Sequence, residues 1–143
     1  MTQVDFYFNA ADLNAITQRL IAKALKAKPN ATAVVAGDAT RLQAFDAHLW
    51  AFDAATFVPH VFASDALAVK TPVLMMSGSE ELPHSHYGLL INLGLTVPEH
   101  FSRFERCIEL VASDEASVLA GRERFKFYKQ RGYPMSHLDL AKR

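Results

Sequence analysis

The sequence predicts an α/β fold in which a largely parallel, mixed sheet is flanked by helices. Short apolar segments of strand length alternate along the chain with segments whose apolar residues recur every three or four positions. Residues 31–36 and 72–76 are almost entirely apolar, which is typical of strands buried on both faces of a parallel sheet. Strands that alternate with helices predict crossover connections, and therefore a Rossmann-like arrangement.

The first half of the chain predicts two strands and two helices. Gln3–Phe8 alternates polar and apolar residues, as a half-buried strand does. The next segment places Leu13, Ile16 and Leu20 at helical spacing and ends before Pro29. These elements are expected at residues 3–8, 11–28, 31–36 and 40–50.

The second half predicts three more strands and a final helix. Residues 51–70 are irregular in pattern, and residues 77–86 form a polar loop. Ser113 and the two acids after it mark the start of the final helix, because acids are favourable at a helix N-terminus. The strands are expected at residues 72–76, 87–93 and 106–111.

Composition predicts one domain spanning residues 1–143. Half of the residues are hydrophobic, which argues against disorder, and no apolar segment approaches the roughly 20 residues that cross a bilayer. The N-terminus does not have the pattern of a signal peptide. The single cysteine, Cys107, cannot form an internal disulfide, which is consistent with a cytoplasmic location.

The formal charge of zero conceals an asymmetry along the chain. Residues 1–121 contain eight Lys/Arg and thirteen Asp/Glu, a balance of 8 − 13 = −5, whereas residues 122–143 contain seven and two, a balance of 7 − 2 = +5. We expect the basic end to attract an acidic partner. A neutral total argues against a protein whose main task is to wrap nucleic acid.

Cofactor and metal signatures are weak. The turn after the second strand, Ala36–Thr40, has one glycine where a dinucleotide fingerprint has three, and it lacks the Lys-Ser/Thr of a phosphate loop. His84 and His86 lie in a polar loop without further ligands at a fixed spacing. The sequence therefore predicts no cofactor and no metal.

Catalytic patterns are equally weak. The chain has no Gly-x-Ser-x-Gly turn, Cys107 lies in an apolar setting that would raise its pKa, and the acidic pairs do not lie in a predicted cleft. We therefore expect a binding module rather than an enzyme.

The final helix is the strongest candidate for a binding surface. Arg122, Phe125 and Lys129 share one helical face, and arginine suits bidentate contact with a carboxylate. The residues alone leave open whether Phe125 and Tyr128 are core residues with a solvated basic rim or whether they form an apolar pocket flanked by cations.

Two further apolar features stand apart from the final helix. Trp50 closes the second predicted helix, where it is either a partly buried core residue or a binding anchor. Residues 57–59, Phe-Val-Pro, lie in an irregular segment, where they either fold back on the core or offer an apolar patch to a partner.

Three segments together resemble the chi subunit family of bacterial DNA polymerase III. They are Val4–Phe8, the block from Phe45 to His60 containing Leu-Trp and Phe-Val-Pro-His, and the segment Arg122–Tyr133. The order of elements agrees over almost the whole chain, and residues 63–104 match only in pattern. The resemblance implies an α/β domain without an enzymatic reaction of its own, acting as an adaptor of the clamp loader.

The resemblance also implies two protein-binding surfaces. One takes the acidic C-terminal tail of single-stranded DNA-binding protein, which ends in a phenylalanine carboxylate. The residues matched to that surface are Trp50, Val111, Arg122 and Phe125. Arg124 or Lys129 on the same helix would attract the acidic residues of the tail. The other surface takes the psi subunit, which tethers chi to the clamp loader, and its matched residues are Phe57, Val58 and Pro59.

The chain departs from its relatives at the tail surface. Val118 stands where some relatives have a lysine, and Phe125 replaces a tyrosine.

Two alternatives to the adaptor function remain: a nucleotide-dependent enzyme on the same scaffold, and direct single-strand binding by the basic helix with aromatic stacking. The residues also leave open whether a helicase uses the Phe57 surface.

Overall fold

A computed structural model describes residues 1–51 and 58–142 of the chain. Three α-helices and seven strands are present in this part, together with four short 3-10 turns. The helices are α1 (Leu13–Ala27), α2 (Ala39–Trp50) and α3 (Glu115–Gln130). The strands are β1 (Gln3–Ala10), β2 (Ala33–Ala36), β3 (His60–Phe62), β4 (Val73–Met76), β5 (Leu89–Asn92), β6 (Arg106–Ala112) and β7 (Met135–Asp139). No helix among the described residues is both long and apolar enough to cross a membrane.

The strands form one sheet in the order β3-β4-β2-β5-β6-β1-β7, and its six described pairings are all parallel. The α/β class predicted from the sequence is confirmed. The two edge strands, β3 and β7, were not predicted. β3 has three residues, and β7 carries polar residues at three of its five positions, so neither shows the apolar pattern of the central strands.

Each α-helix begins after an aspartate whose side chain caps it. Asp12, Asp38 and Asp114 accept hydrogen bonds from the backbone N–H groups three residues later, at 3.1, 2.8 and 3.1 Å. Each cap satisfies one of the helix's unpaired amide donors and places a negative charge at the positive end of the helix dipole. The first two helices start within two residues of the expected positions 11 and 40, and the third starts at the acids that marked it.

The sheet separates two hydrophobic cores. α1 and α2 cover one face, where Ile21, Leu42 and Phe45 pack on alternate strand residues such as Val35 and Ile108. On the other face, α3 packs on the complementary residues of the same strands, and loops cover the rest. Members of this second core include Val4, Phe6, Val34, Leu74, Cys107, Val111 and Tyr128.

A polar network joins the three strands at the β7 edge. Asp5 of β1 accepts hydrogen bonds from Arg106 of β6 at 2.6 Å, from Ser136 of β7 at 2.6 Å and from the nearby Gln3 at 2.9 Å. Burial alone would raise the pKa of the Asp5 carboxyl, but the three hydrogen bonds and the guanidinium outweigh it and hold that pKa below its ordinary value of 3.8. The network therefore stabilises the fold in the charged form of Asp5.

Replacing Asp5 with asparagine tests this network. A lowered pKa means that the native state binds the proton less tightly than the unfolded chain, so its contribution is present above pH 3.8 and is lost as the pH falls further. We expect Asp5→Asn to lose about 1–2 kcal/mol of unfolding free energy at pH 7. The deficit should shrink towards pH 2–3 in urea denaturation, and a deficit that stays constant with pH would contradict this account.

Candidate functional site

The inward face of α3 is held to the sheet by a buried polar cluster. Glu109 of β6 accepts hydrogen bonds from the Arg124 Nε at 2.9 Å, from the Tyr128 hydroxyl at 2.6 Å and from the Asn92 amide at 2.8 Å. A second nitrogen of Arg124 donates to the Leu95 carbonyl oxygen at 2.9 Å. The cluster therefore fixes both the helix and the loop that follows β5.

The members of this cluster are sealed from solvent. The side chain of Glu109 is fully buried and that of Arg124 is 3 % exposed. Burial raises the pKa of Glu109, against the opposing influence of Arg124 and the hydrogen bonds, and burial also raises the pKa of the Tyr128 hydroxyl. The prediction that Arg124 attracts an acidic tail is contradicted, because its guanidinium is committed to the core.

Gly121 lets α3 approach β6 closely. A Cβ at this position would lie 3.0 Å from both methyl groups of Val111, closer than real Cβ atoms normally come to a neighbour. The close approach leaves Val111 at the base of a depression beside the helix, with 6 % of its surface exposed. Glycine therefore has a packing reason to occupy the middle of this helix despite its low helix propensity.

A cavity of about 430 Å³ lies beside α3 at the β1–β7 end of the sheet. One wall comes from α3, the floor from β1 and β6, and the far rim from β7. Its lining is mostly apolar and consists of Phe6, Phe8, Asn9, Val111, Val118, Gly121, Arg122, Phe125 and His137. Phe6 and Phe125 meet edge to face with ring centroids 5.3 Å apart, which sets the aromatic part of the lining.

Arg122 is the cation of this cavity. It is exposed, and among residues 1–51 and 58–142 its guanidinium has no hydrogen bond or ion pair. Other arginines are engaged: Arg106 pairs with Asp5, and Arg131 lies over the Phe127 ring at 3.7 Å from its centroid. Arg122 therefore keeps its donors available beside an apolar cavity.

The structure brings together three of the residues expected at the tail surface. Val111, Arg122 and Phe125 all line the cavity, and Val118 joins them one turn before Arg122. Lys129 is exposed on the same helical face, one turn beyond Phe125, although it is not part of the lining. The sequence left open whether Phe125 and Tyr128 are core residues or pocket residues. Tyr128 is a core residue, and Phe125 is half-buried at the cavity.

Trp50 does not reach this cavity. It ends α2, on the opposite face of the sheet from α3, and its ring contacts that of His60 on β3 with centroids 5.4 Å apart. β3 is five strands away from β1, a separation of about 24 Å. The expectation that Trp50 and Arg122 share one pocket is contradicted.

Trp50 instead lies beside β3, next to the residues expected at the psi surface. Val58 is buried and Pro59 is exposed directly before β3, whereas Phe57 lies outside the described residues. Trp50 is 64 % exposed, and Phe62 and Leu67 are also exposed nearby in sequence. We call Trp50, Pro59, Phe62 and Leu67 the β3-edge surface.

The carboxyl ends of β2, β4 and β5 enclose a second depression of about 300 Å³. Its lining includes the acids Asp38 and Glu99 and contains no lysine, arginine or histidine. The Asp38 carboxylate already occupies the N-terminus of α2, where a phosphate would otherwise be attracted. This arrangement does not favour a nucleotide.

Two further side chains that the sequence singled out, His86 and Cys107, are buried in the fold. His86 is buried, and its Nε2 lies 2.7 Å from the Thr71 carbonyl oxygen. Cys107 is buried within β6, and burial raises the pKa of its thiol well above the ordinary value. Neither arrangement resembles a metal ligand or a reactive nucleophile.

Sequence reasoning missed Phe6, Phe8 and His137 as cavity residues. Phe6 and Phe8 belong to the alternating pattern that predicted β1, which identified a buried face without showing that α3 covers it only in part. His137 lies on the unpredicted strand β7. The parallel pairing of β7 with β1 would have been needed to place it beside the helix.

Truncation of Arg122 and of Arg124, two residues apart on α3, should have very different effects on the free energy of unfolding. Arg124→Ala leaves Glu109 buried without its cation, and we expect a loss of about 3–5 kcal/mol of unfolding free energy. Arg122→Ala removes an exposed, unpaired group, and its effect should lie within about 0.5 kcal/mol. Denaturant unfolding at pH 7 measures both, and similar losses for the two variants would contradict the assignment of their roles.

Comparison with known proteins identifies the family of this chain. The family model described as DNA polymerase III chi subunit, HolC, matches residues 1–136. The chain is 37 % identical over 146 aligned positions to the DNA polymerase III subunit chi of Pseudomonas aeruginosa, covering 99 % of each chain. It is 33 % identical over 92 positions to the subunit of the same name from Haemophilus influenzae, covering 64 % of this chain and 62 % of that one. The chain belongs to the DNA polymerase III chi subunit family.

Proposed function

We propose that this chi-family chain is a non-catalytic adaptor that binds the acidic C-terminal tail of single-stranded DNA-binding protein in the α3 cavity. Through this contact it links the clamp-loader complex of DNA polymerase III to coated single strands. The observation that carries the proposal is the unpaired, exposed guanidinium of Arg122 beside a mostly aromatic and aliphatic cavity.

The cavity has the two chemical parts that a terminal phenylalanine needs. Phe6, Phe125 and Val111 offer apolar surface for the phenyl ring, and burial of such a ring is favourable by roughly 1.5–3 kcal/mol. Arg122 can donate two parallel hydrogen bonds to the terminal carboxylate. A carboxylate and a ring on one residue match a guanidinium and an apolar cavity that lie side by side.

The charge distribution supports an acidic ligand. Residues 122–143 carry a formal balance of 7 − 2 = +5, which becomes 6 − 2 = +4 when Arg124, paired with Glu109 in the core, is set aside. The exposed Lys129 lies beyond the cavity on the same helical face. Acidic residues upstream of a terminal phenylalanine would be attracted to this end of the molecule, with a strength that decreases as salt increases.

The β3-edge surface supports a second role for the protein. Three large apolar side chains, Trp50, Phe62 and Leu67, are exposed there at 64, 37 and 59 %. Tryptophan is enriched among residues that dominate protein interfaces. We propose that this surface, which includes Pro59 and has Val58 beside it, pairs with the psi subunit and thereby attaches the protein to the clamp loader.

Calorimetry with a short acidic peptide ending in phenylalanine tests the tail site. We expect a dissociation constant in the micromolar range, near −8 kcal/mol, that weakens as salt increases. Arg122→Ala should weaken binding more than tenfold, about 1.4 kcal/mol, and a C-terminal amide on the peptide should have a similar effect. Arg19→Ala removes the same charge from α1, on the other face of the sheet, and serves as the control.

Equal losses for Arg122→Ala and Arg19→Ala would show that the peptide responds only to net charge. Tight binding of ATP or of naked single strands, without peptide binding, would favour the two alternative functions. These ligands are measured in the same titrations.

The two surfaces should be separable by substitution. Trp50→Ala should weaken binding to the psi subunit by about 2 kcal/mol or more, since aromatic interface anchors often cost that much. The same substitution should leave peptide affinity within about twofold, because Trp50 lies outside the cavity. Binding of each partner to immobilised protein measures both effects, and a selective loss of peptide binding would overturn the division.

A further inference from the structure

His137 occupies the rim of the α3 cavity opposite the helix. It lies on the edge strand β7, in register with Phe6 of β1, and it lines the same cavity as Arg122. Its ring stacks on Phe8 with centroids 6.1 Å apart and an angle of 27° between the planes. The imidazole is exposed, and Phe8 supports one face of it.

The nitrogens of His137 are unused within the described part of the chain. They make no hydrogen bond to residues 1–51 or 58–142. Four other histidines do make such bonds, and their partners are Gln18 for His48, Asp46 for His60, Thr71 for His86 and Ser79 for His100. His137 therefore combines a supported ring with free polar atoms at the cavity rim.

The charged groups near His137 lie on α3, on β7 and in the short 3-10 turn that follows β7. Arg122 faces the same cavity from α3, and Asp139 lies two positions along β7. The Asp139 carboxylate accepts hydrogen bonds from the Asn9 amide and the Ala141 backbone N–H, and Lys142 lies close enough to influence it. β1 and β6 contribute Phe6, Phe8, Asn9 and Val111 to the cavity, none of which is charged.

We infer that His137 is a second, protonatable recognition residue of the cavity, which binds an acidic side chain of the peptide while Arg122 holds the terminal carboxylate. This inference rests on the proposed tail-binding function. Imidazole changes charge between pH 5 and 8, whereas peptide carboxylates stay ionised above about pH 5.5. Peptide affinity should therefore increase as the pH falls through this interval.

Calorimetry with the acidic phenylalanine-ending peptide at pH 5.5 and pH 8 tests the inference. The wild-type chain should bind about two- to fivefold more tightly at pH 5.5, as expected for one additional exposed ion pair. His137→Gln should bind with the weaker affinity at both pH values. His137→Arg, which retains a positive charge at both, should bind with the tighter affinity at both. Both variants keep Arg122.

Two controls separate this inference from general effects of pH. His84→Gln changes an exposed histidine that does not line this cavity and should keep the wild-type pH dependence. A peptide whose acids are replaced by amides, but which keeps its terminal phenylalanine carboxylate, should bind without pH dependence.

Peptide binding that does not change with pH, or pH dependence that persists in His137→Gln, would overturn the inference and leave the proposed function standing. Absence of peptide binding at every pH would overturn both.

Discussion

The buried contact between Glu109 and Arg124 determines how α3 lies on the sheet. A carboxylate without solvent exposure needs donors, and it obtains three: a guanidinium, a phenol and an amide, at 2.6–2.9 Å. Removing the Tyr128 hydroxyl leaves one carboxylate oxygen without a donor, and removing Arg124 leaves the buried carboxylate without its cation. The helix is consequently fixed both in rotation about its axis and in position along it. This determines which of its other residues face the cavity.

This constraint gives the two arginines of the Arg-Glu-Arg segment different tasks. Arg124 points inward and pairs with Glu109 in the core. Arg122, two positions earlier, lines the cavity and is unpaired among the described residues. Gly121 lies against Val111 and allows α3 to approach β6 closely, so that Val111 forms an apolar floor for the cavity. One short segment thus supplies both the anchor of the helix and the proposed ligand contact.

Much of the fold could be predicted from the sequence, because the central strands and all three helices have strong local patterns. β3 and β7 could not, since an edge strand with few apolar residues has no distinctive periodicity. At the site, Val111, Arg122 and Phe125 were found through family resemblance and helical spacing. Trp50 was misplaced because resemblance in sequence does not show which side of a sheet a helix covers.

Arg124 illustrates a different limit. Helical spacing places it on another face from Arg122, but spacing alone does not distinguish a solvated arginine from one paired in the core. That distinction depends on Glu109, fifteen positions away on β6, and on the direction in which its side chain points. His137 was missed for a similar reason, because its place at the cavity depends on the pairing of β7 with β1.

The two proposed surfaces lie at opposite edges of the sheet and on elements that cover opposite faces. Such a separation lets an adaptor hold two partners at once without competition between them.

The most direct test of the central claim is a crystal structure of the chain with an acidic peptide ending in phenylalanine. The terminal carboxylate should lie within hydrogen-bond distance of the Arg122 guanidinium, with the phenyl ring against Phe6, Phe125 and Val111. A peptide seated elsewhere, with the α3 cavity empty, would contradict the account.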